Sequence, residues 1–416
     1  MRIISIKNAN TLANQTRKNN KSVQKIIDQV AKHGDLALRQ FEKKFNGVTL
    51  TNLQVTKREI SDAYSLVTKD QLAAVCATKN RLIKTELALK KRLNKFEIKS
   101  SSTKIVKSFI PLDSVGCYVP GGLAQYPSSA VMSIVPAKLA GVGKIVVVTP
   151  PNKQGKIAPL VLVAADMCGA NLIFKVGGAH AIAALAVGTK SIPQVDKIVG
   201  PGGSFVTTAK YLVSDMVSID MLAGPTELVI LADESADPKL VALDLISQAE
   251  HSSDTKCNLI TTSQNFANRV ISEIKKQITN LQRKELVGSS LQKNGFIAVG
   301  KISDAISLAN KLAPEHIQVI TKNSGQVAKQ IKTAGLVLIG QNTPSSASDY
   351  MLGTNHILPT NRFGRSRGSL SVLDFLKIRT EVESSKSALQ KINKHLKTLT
   401  DAEHLPNHYE AVRKRL

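Results

Sequence analysis

The sequence predicts an α/β fold built from two doubly wound parallel sheets, and three observations predict it. Short apolar runs recur through residues 144–339, each the length of one strand. Between them lie segments of about 10–15 residues with helical apolar spacing, the pattern of strands joined by crossover helices. Hydrophobic residues make up 43% of the 416-residue chain and charged residues 21%, the balance of a globular protein with a substantial core.

The elements follow in order. Residues 1–20 read as an N-terminal helical segment. Ser22 to Phe45 has apolar residues at helical intervals and closes at Asn46-Gly47, a stop signal. Ile60 to Leu93 continues as a lysine-rich helical stretch. Glycine and proline then rise sharply through Val115 to Gly122. The first strand series is Lys144–Thr149, Asn171–Val176, Val195–Val199 and Met216–Asp220. The second is Glu227–Ala232, Cys257–Thr262, Phe296–Val299, Ile317–Thr321 and Leu336–Ile339. Residues 341–372 form a Gly/Ser/Asn-rich loop long enough to bind something. The last forty or so residues read as helical and basic, too small to hold a core alone.

These elements group as a first α/β domain from 21–110 and 226–370, a second from 111–225, and a helical tail from 371–416. Both domains are Rossmann-like in their alternation, yet the chain has no Gly-x-Gly-x-x-Gly fingerprint and no Walker motif. Glycine at strand ends, Gly177-Gly178 and Gly200 to Gly203, lets backbone N–H groups approach a phosphate. Such turns also arise for steric reasons, so spacing alone leaves both readings open.

The net charge is +25, with lysines spread along the chain and not gathered into a block. No nucleic-acid reading motif accompanies it, and aromatics are 4% with no Trp, so a nucleic-acid role is not expected. Cys76, Cys117, Cys168 and Cys257 lie far apart, which excludes a disulfide framework and a thiolate zinc site and fits a reducing cytoplasm. No signal-peptide core opens the chain and no charge-free apolar run reaches membrane length, so a soluble protein is expected, without a membrane partner.

Four polar stretches could carry chemistry. Gln248 and His251 lie three apart, so on a helix they share one face and make half of a metal site. Glu315 and His316 stand at a turn before a strand, where a carboxylate and an imidazole can bracket a small substrate. Asp349 and His356 sit in the long loop, and Glu403, His404 and His408 in the tail. Gln, His, Asp and His make a mixed nitrogen and oxygen set suited to zinc, though ligands this distant are weak evidence by spacing alone.

Taken together, Gly116 to Gly122, Tyr126 to Ser129, Lys197 to Gly202, Leu222 to Pro225, Ser247 to His251, Pro314 to His316, Ser348 to Thr360, Gly368 to Lys377, Ala402-Glu403 and His408 resemble the histidinol dehydrogenase family. The resemblance is co-linear and covers most of the chain from about residue 20. It implies oxidation of L-histidinol through L-histidinal to L-histidine with two NAD+ in turn, the end of histidine biosynthesis. It implies one Zn2+ per subunit, held by Gln248, His251, Asp349 and His408. His316 matches the general base and Glu315 the residue that activates water. Thr226, Gln248, His251, His316, Asp349, His356, Glu403 and His408 match substrate-binding positions. Tyr118, His180 and Gly203 match NAD-binding positions in the second domain. The resemblance also implies a homodimer in which the tail completes the partner's site.

The sequence departs from the family in places. His180 stands where Gln is usual, Gly203 where Asn is expected, Thr226 where Ser is usual, and Ser252-Ser253 replaces Gly-Pro. Loss of the Asn side chain removes a hydrogen bond worth about 0.5–1.5 kcal/mol, or roughly threefold to tenfold in affinity. A relative oxidising another small polar alcohol, such as a sulfonated diol, is the alternative reading.

Overall fold

The computed structural model describes residues 1–9, 20–100, 102–121, 125–279 and 281–416. Most of the 1–20 segment and Gly122 of the glycine turn lie outside the described residues.

The first sheet joins β1 (Arg2–Ser5), β9 (Glu227–Ala232), β10 (Lys256–Thr261), β11 (Phe296–Val299), β12 (His316–Ile320) and β13 (Leu336–Ile339). Its order is β1-β11-β10-β9-β12-β13, every pairing parallel. Every residue of β9 is buried, which is why it reads as a continuous apolar run rather than an alternating one. Leu228, Ile230 and Ala232 face the helices Pro238–Ala249 and Gln264–Ile278, whereas Val229 and Leu231 face the helix Ile302–Leu312.

The second sheet holds β4 (Ser114–Tyr118), β5 (Lys144–Val148), β6 (Leu172–Phe174), β7 (Lys197–Val199) and β8 (Ser218–Ile219), in the order β6-β5-β4-β7-β8. All its pairings are parallel. With β4 and β9 each taken as the first strand, both sheets follow the winding 3-2-1-4-5, so the expected pair of doubly wound units is present.

Three expectations are corrected. The chain does not open as a helical segment. Arg2–Ser5 is a strand that extends the first sheet beside β11, and only Ile6–Ala9 turns helical after it. The helices between residues 21 and 90 pack chiefly on the second sheet and not on the first. Val23, Ile26, Ile27 and Val30 share a buried cluster with Val146, Val148 and Phe174 of the second sheet, and Val75 and Leu82 share another with Val115 and Val147. An amphipathic face records that a helix is covered, not by what. The third correction concerns an antiparallel sheet that has no apolar run to announce it. In it β3 (Thr103–Pro111) lies between β2 (Phe96–Ser100) and β14 (Leu376–Ser384). Most of β14 is exposed, so the tail begins as a strand before its helices Lys386–Ala402 and Pro406–Arg413. Those two helices pack principally on each other.

Among the described residues no helix is long and apolar enough to cross a membrane. All four cysteines are free; Cys117, Cys168 and Cys257 are buried, and Cys76 is partly covered.

The turn after β7 leaves no room for a side chain at its first residue. Gly200 has φ +117°, and a Cβ there would run into the Tyr118 carbonyl oxygen. Gly200→Ala is therefore expected to cost about 2–3 kcal/mol, read as a lowered midpoint of chemical denaturation.

Candidate active site

A cavity of about 540 Å³ opens between the loop that follows β4 and the end of the helix Pro238–Ala249. Tyr126 and Ser128 line one wall, Gln248 and His251 another, and Asp349 and Tyr350 a third. It lies between the carboxyl edge of the second sheet, where β4 ends, and the amino edge of the first, where β12 begins.

Gln248 and His251 reach the cavity by a route slightly different from the expected shared helix face. The helix ends at Ala249, and His251 lies past it, its amide donating to the Gln248 carbonyl at 3.2 Å. Gln248 is buried, and its Oε1 accepts from Ser345 Oγ at 3.2 Å, which fixes the amide. His251 is open to the cavity on one side and crowded by protein on the other. That crowding lowers its pKa against the pull of Asp349.

Glu315 and His316 are both buried, at 7% and 2% exposure. They can share the interior because Glu315 precedes the strand and only His316 belongs to β12. The turn that delivers them is strained: Ala313 takes a left-handed φ of +46° directly before Pro314. Glu315 Oε2 accepts from the Glu227 amide at 2.9 Å and lies 3.8 Å from His316 Nδ1. On the other side of the ring, Asp349 Oδ1 is 3.6 Å from His316 Nε2. Neither ring nitrogen makes a hydrogen bond within the protein.

Burial pushes the Glu315 carboxyl up to about 7, against the neighbouring imidazole of His316. For His316, burial alone would favour the neutral ring, but the carboxylates of Glu315 and Asp349 outweigh it and raise its pKa. Asp349 shows the inverse: burial pushes it up, yet His316, His356 and His251 together hold it below its ordinary value. His356 is lowered by burial; its Nδ1 lies 2.8 Å from the Asp349 carbonyl and its Nε2 3.2 Å from Ser129 Oγ. Thr226 immediately precedes β9, its carbonyl accepting from the Lys256 amide at 2.9 Å.

The fold thus brings together Gln248, His251, Glu315, His316, Asp349 and His356. It does not bring Glu403 or His408 to them: both are exposed on the tail. Among the described residues no three His, Cys, Asp or Glu side chains cluster to hold a metal. A carboxamide, an imidazole and a carboxylate that line one cavity without a thiolate do suit zinc, provided a further donor joins them.

At the second sheet, Tyr118 ends β4 and its hydroxyl accepts from the Gly178 amide at 3.1 Å. His180, expected among the cofactor-binding positions, lies on the helix Gly178–Val187. Its ring is buried, with Nε2 2.8 Å from Glu42 Oε1, because the buried Glu42 carboxylate needs donors. Gly203 caps the helix Ser204–Leu212 without a side chain, and a Cβ there would meet open space. Residues with no motif of their own complete the picture. Glu227, whose carboxyl burial raises against the nearby Lys256, adjoins Glu315, while Ser345 holds Gln248. Only adjacency to Thr226 could have flagged Glu227.

The family model described as histidinol dehydrogenase matches residues 9–416. A histidinol dehydrogenase of Clostridium acetobutylicum is 44% identical over 397 residues, covering 95% of this chain and 92% of the relative. One from Methanocaldococcus jannaschii is 41% identical over 395 residues, covering 95% and 92%. The crystal structure of histidinol dehydrogenase from Elizabethkingia anophelis superposes with a TM-score of 0.94 at 33% identity, covering 100% of this chain and 98% of that one.

A raised carboxyl pKa means that the folded chain keeps a proton which the unfolded chain, with its ordinary value of 4.5, has lost. The burial cost of Glu315 is thus absent at low pH, grows as pH rises from 4.5, and is complete above about 7. Glu315→Gln is expected to stabilise the fold by about 2–3 kcal/mol at pH ~8 and hardly at all at pH ~4.5, measured by denaturation at each pH.

Proposed function

The chain belongs to the histidinol dehydrogenase family of oxidoreductases, and from that premise we propose that it oxidises L-histidinol through L-histidinal to L-histidine. The supporting observation is the buried Glu315–His316 pair, whose imidazole lies 3.6 Å from Asp349 of the cavity wall that Gln248 and His251 share. The relatives' shared name supports histidinol over another small polar alcohol.

In the first step His316 takes the hydroxyl proton of the alcohol as the carbon loses hydride. The neutral ring is needed, and Glu315 and Asp349 stabilise the charge it gains. In the second, Glu315 takes a proton from water as its oxygen attacks the aldehyde carbon, and the hydrate then loses the second hydride. Burial prepares Glu315 for this role by bringing its pKa near neutrality. NAD+, when bound, supplies the hydride acceptor, and zinc, when bound, supplies a Lewis-acidic anchor for the imidazole and amine of the substrate. Gln248, His251 and Asp349 would hold the metal, His408 joining from the tail. His356, Glu403 and Thr226 would contact the substrate. Tyr118 and the turns at Gly177 and Gly200 would receive the dinucleotide.

The exposed tail supports a homodimer in which Glu403 and His408 complete the neighbouring site. Mixed dimers of His251→Ala and His408→Ala chains test it. Shared sites leave one intact site in each hybrid, so a random mixture regains about a quarter of full activity. Sites completed within one chain regain none.

His316→Ala is expected to lower the rate of NADH formation from histidinol about a thousandfold while oxidation of added histidinal falls far less. Equal loss of both steps would contradict the roles assigned. Histidinal oxidation is expected to rise with pH through about 7 as Glu315 loses its proton. A chelator should stop turnover and remove zinc measured by elemental analysis, with Zn2+ restoring both.

A further inference from the structure

Two buried pairs of titratable side chains flank Tyr118, and neither takes part in the chemistry above. Glu42, on the helix Asp35–Asn46, meets His180, and Lys210, on the helix Ser204–Leu212, forms an ion pair with Asp220 beyond β8. All four side chains are at most 2% exposed. Withdrawing such groups from water is costly, and an apolar filling would serve stability as well or better.

What they do instead is hold backbone. Glu42 Oε1 accepts from the Gly177 amide at 2.9 Å, and Asp220 Oδ2 accepts from the Gly200 amide at 2.7 Å. Each carboxylate thus seizes the first glycine of a turn at the carboxyl edge of the second sheet. Lys210 Nζ donates to the Gly200 carbonyl at 3.0 Å, fixing the same residue through its next peptide group. Tyr118 lies between the turns, bonded to Gly178 on one side and pressed against Gly200 on the other. β4 and β7 are the strands where the winding reverses, the place where open α/β sheets receive ligands.

We propose that Glu42–His180 and Lys210–Asp220 are clasps that preset the two glycine turns and Tyr118 for the dinucleotide, acting as positioning residues for NAD+. This rests on the reading of the function above. It assigns His180 to holding the turn and not to touching the cofactor.

Glu42→Leu removes the acceptor for Gly177, whereas Glu42→Gln keeps a carbonyl oxygen there. Losing the preset turn is expected to raise the dissociation constant and KM for NAD+ about tenfold in Glu42→Leu, with a much smaller change in kcat and none in KM for histidinol. Glu42→Gln should stay within about twofold of wild type. The neutral double variant Lys210→Met/Asp220→Leu removes both holds on Gly200 and should weaken NAD+ similarly, which keeps the test open if Glu42→Leu does not fold. Calorimetry with NAD+ and steady-state kinetics provide the readings. Folded variants that bind NAD+ as wild type does, or that lose histidinol and NAD+ affinity alike, overturn the clasps alone. A wild-type chain that binds no NAD+ overturns the reading of the function, and the clasps with it.

Discussion

A carboxylate taken out of water must be answered by donors, and at the start of β12 that rule sets the layout of the whole site. Glu315 is answered by the Glu227 amide, and the Glu227 carboxylate by Lys256. His316 sits between Glu315 and Asp349 at 3.6–3.8 Å, close enough for charge to be felt but without a hydrogen bond to either. The ring is therefore electrostatically prepared yet uncommitted, as the base role proposed for it requires. Asp349 in turn is kept ionised by the imidazoles around it, although burial opposes this.

The two sheets share one winding but use opposite edges. In the second sheet the carboxyl ends of β4 and β7 carry Tyr118 and the Gly200 turn. In the first, the amino ends of β9 and β12 carry Thr226, Glu315 and His316. Setting a carboxyl edge against an amino edge lets both units wall the cavity, Tyr126 and Ser128 from one and Gln248, His251 and Asp349 from the other. Neither unit alone supplies both walls.

Much of this was legible in the sequence, and the misses share a cause. Runs such as 227–232 or 145–148 are buried on both faces, so burial writes them into composition directly. β14 has no such inscription, because its residues Lys377 to Ser384 alternate in solvent and owe their conformation to β3. The helix Lys21–His33 declares an apolar face but not that Val146 and Val148 cover it. Glu315, His316, Gln248, His251 and Asp349 stood out because they sit in short motifs. Glu42 did not: nothing local links it to His180, 138 positions away. Long-range partners belong to the folded chain, and a single sequence read element by element does not display them.

The thiols carry a practical consequence. Burial pushes Cys117 and Cys168 up to about 12 and raises Cys257 as well, so none of the three supplies thiolate at neutral pH. Cys76 alone is partly open, on the helix Lys69–Lys90 between Val75 and Thr78, two residues of the cavity wall. A maleimide fluorophore would thus attach at a single address without any cysteine having to be engineered away. It would sit on the far side of that helix, whose Gln71, Ala74, Val75 and Thr78 turn the opposite face to the cavity.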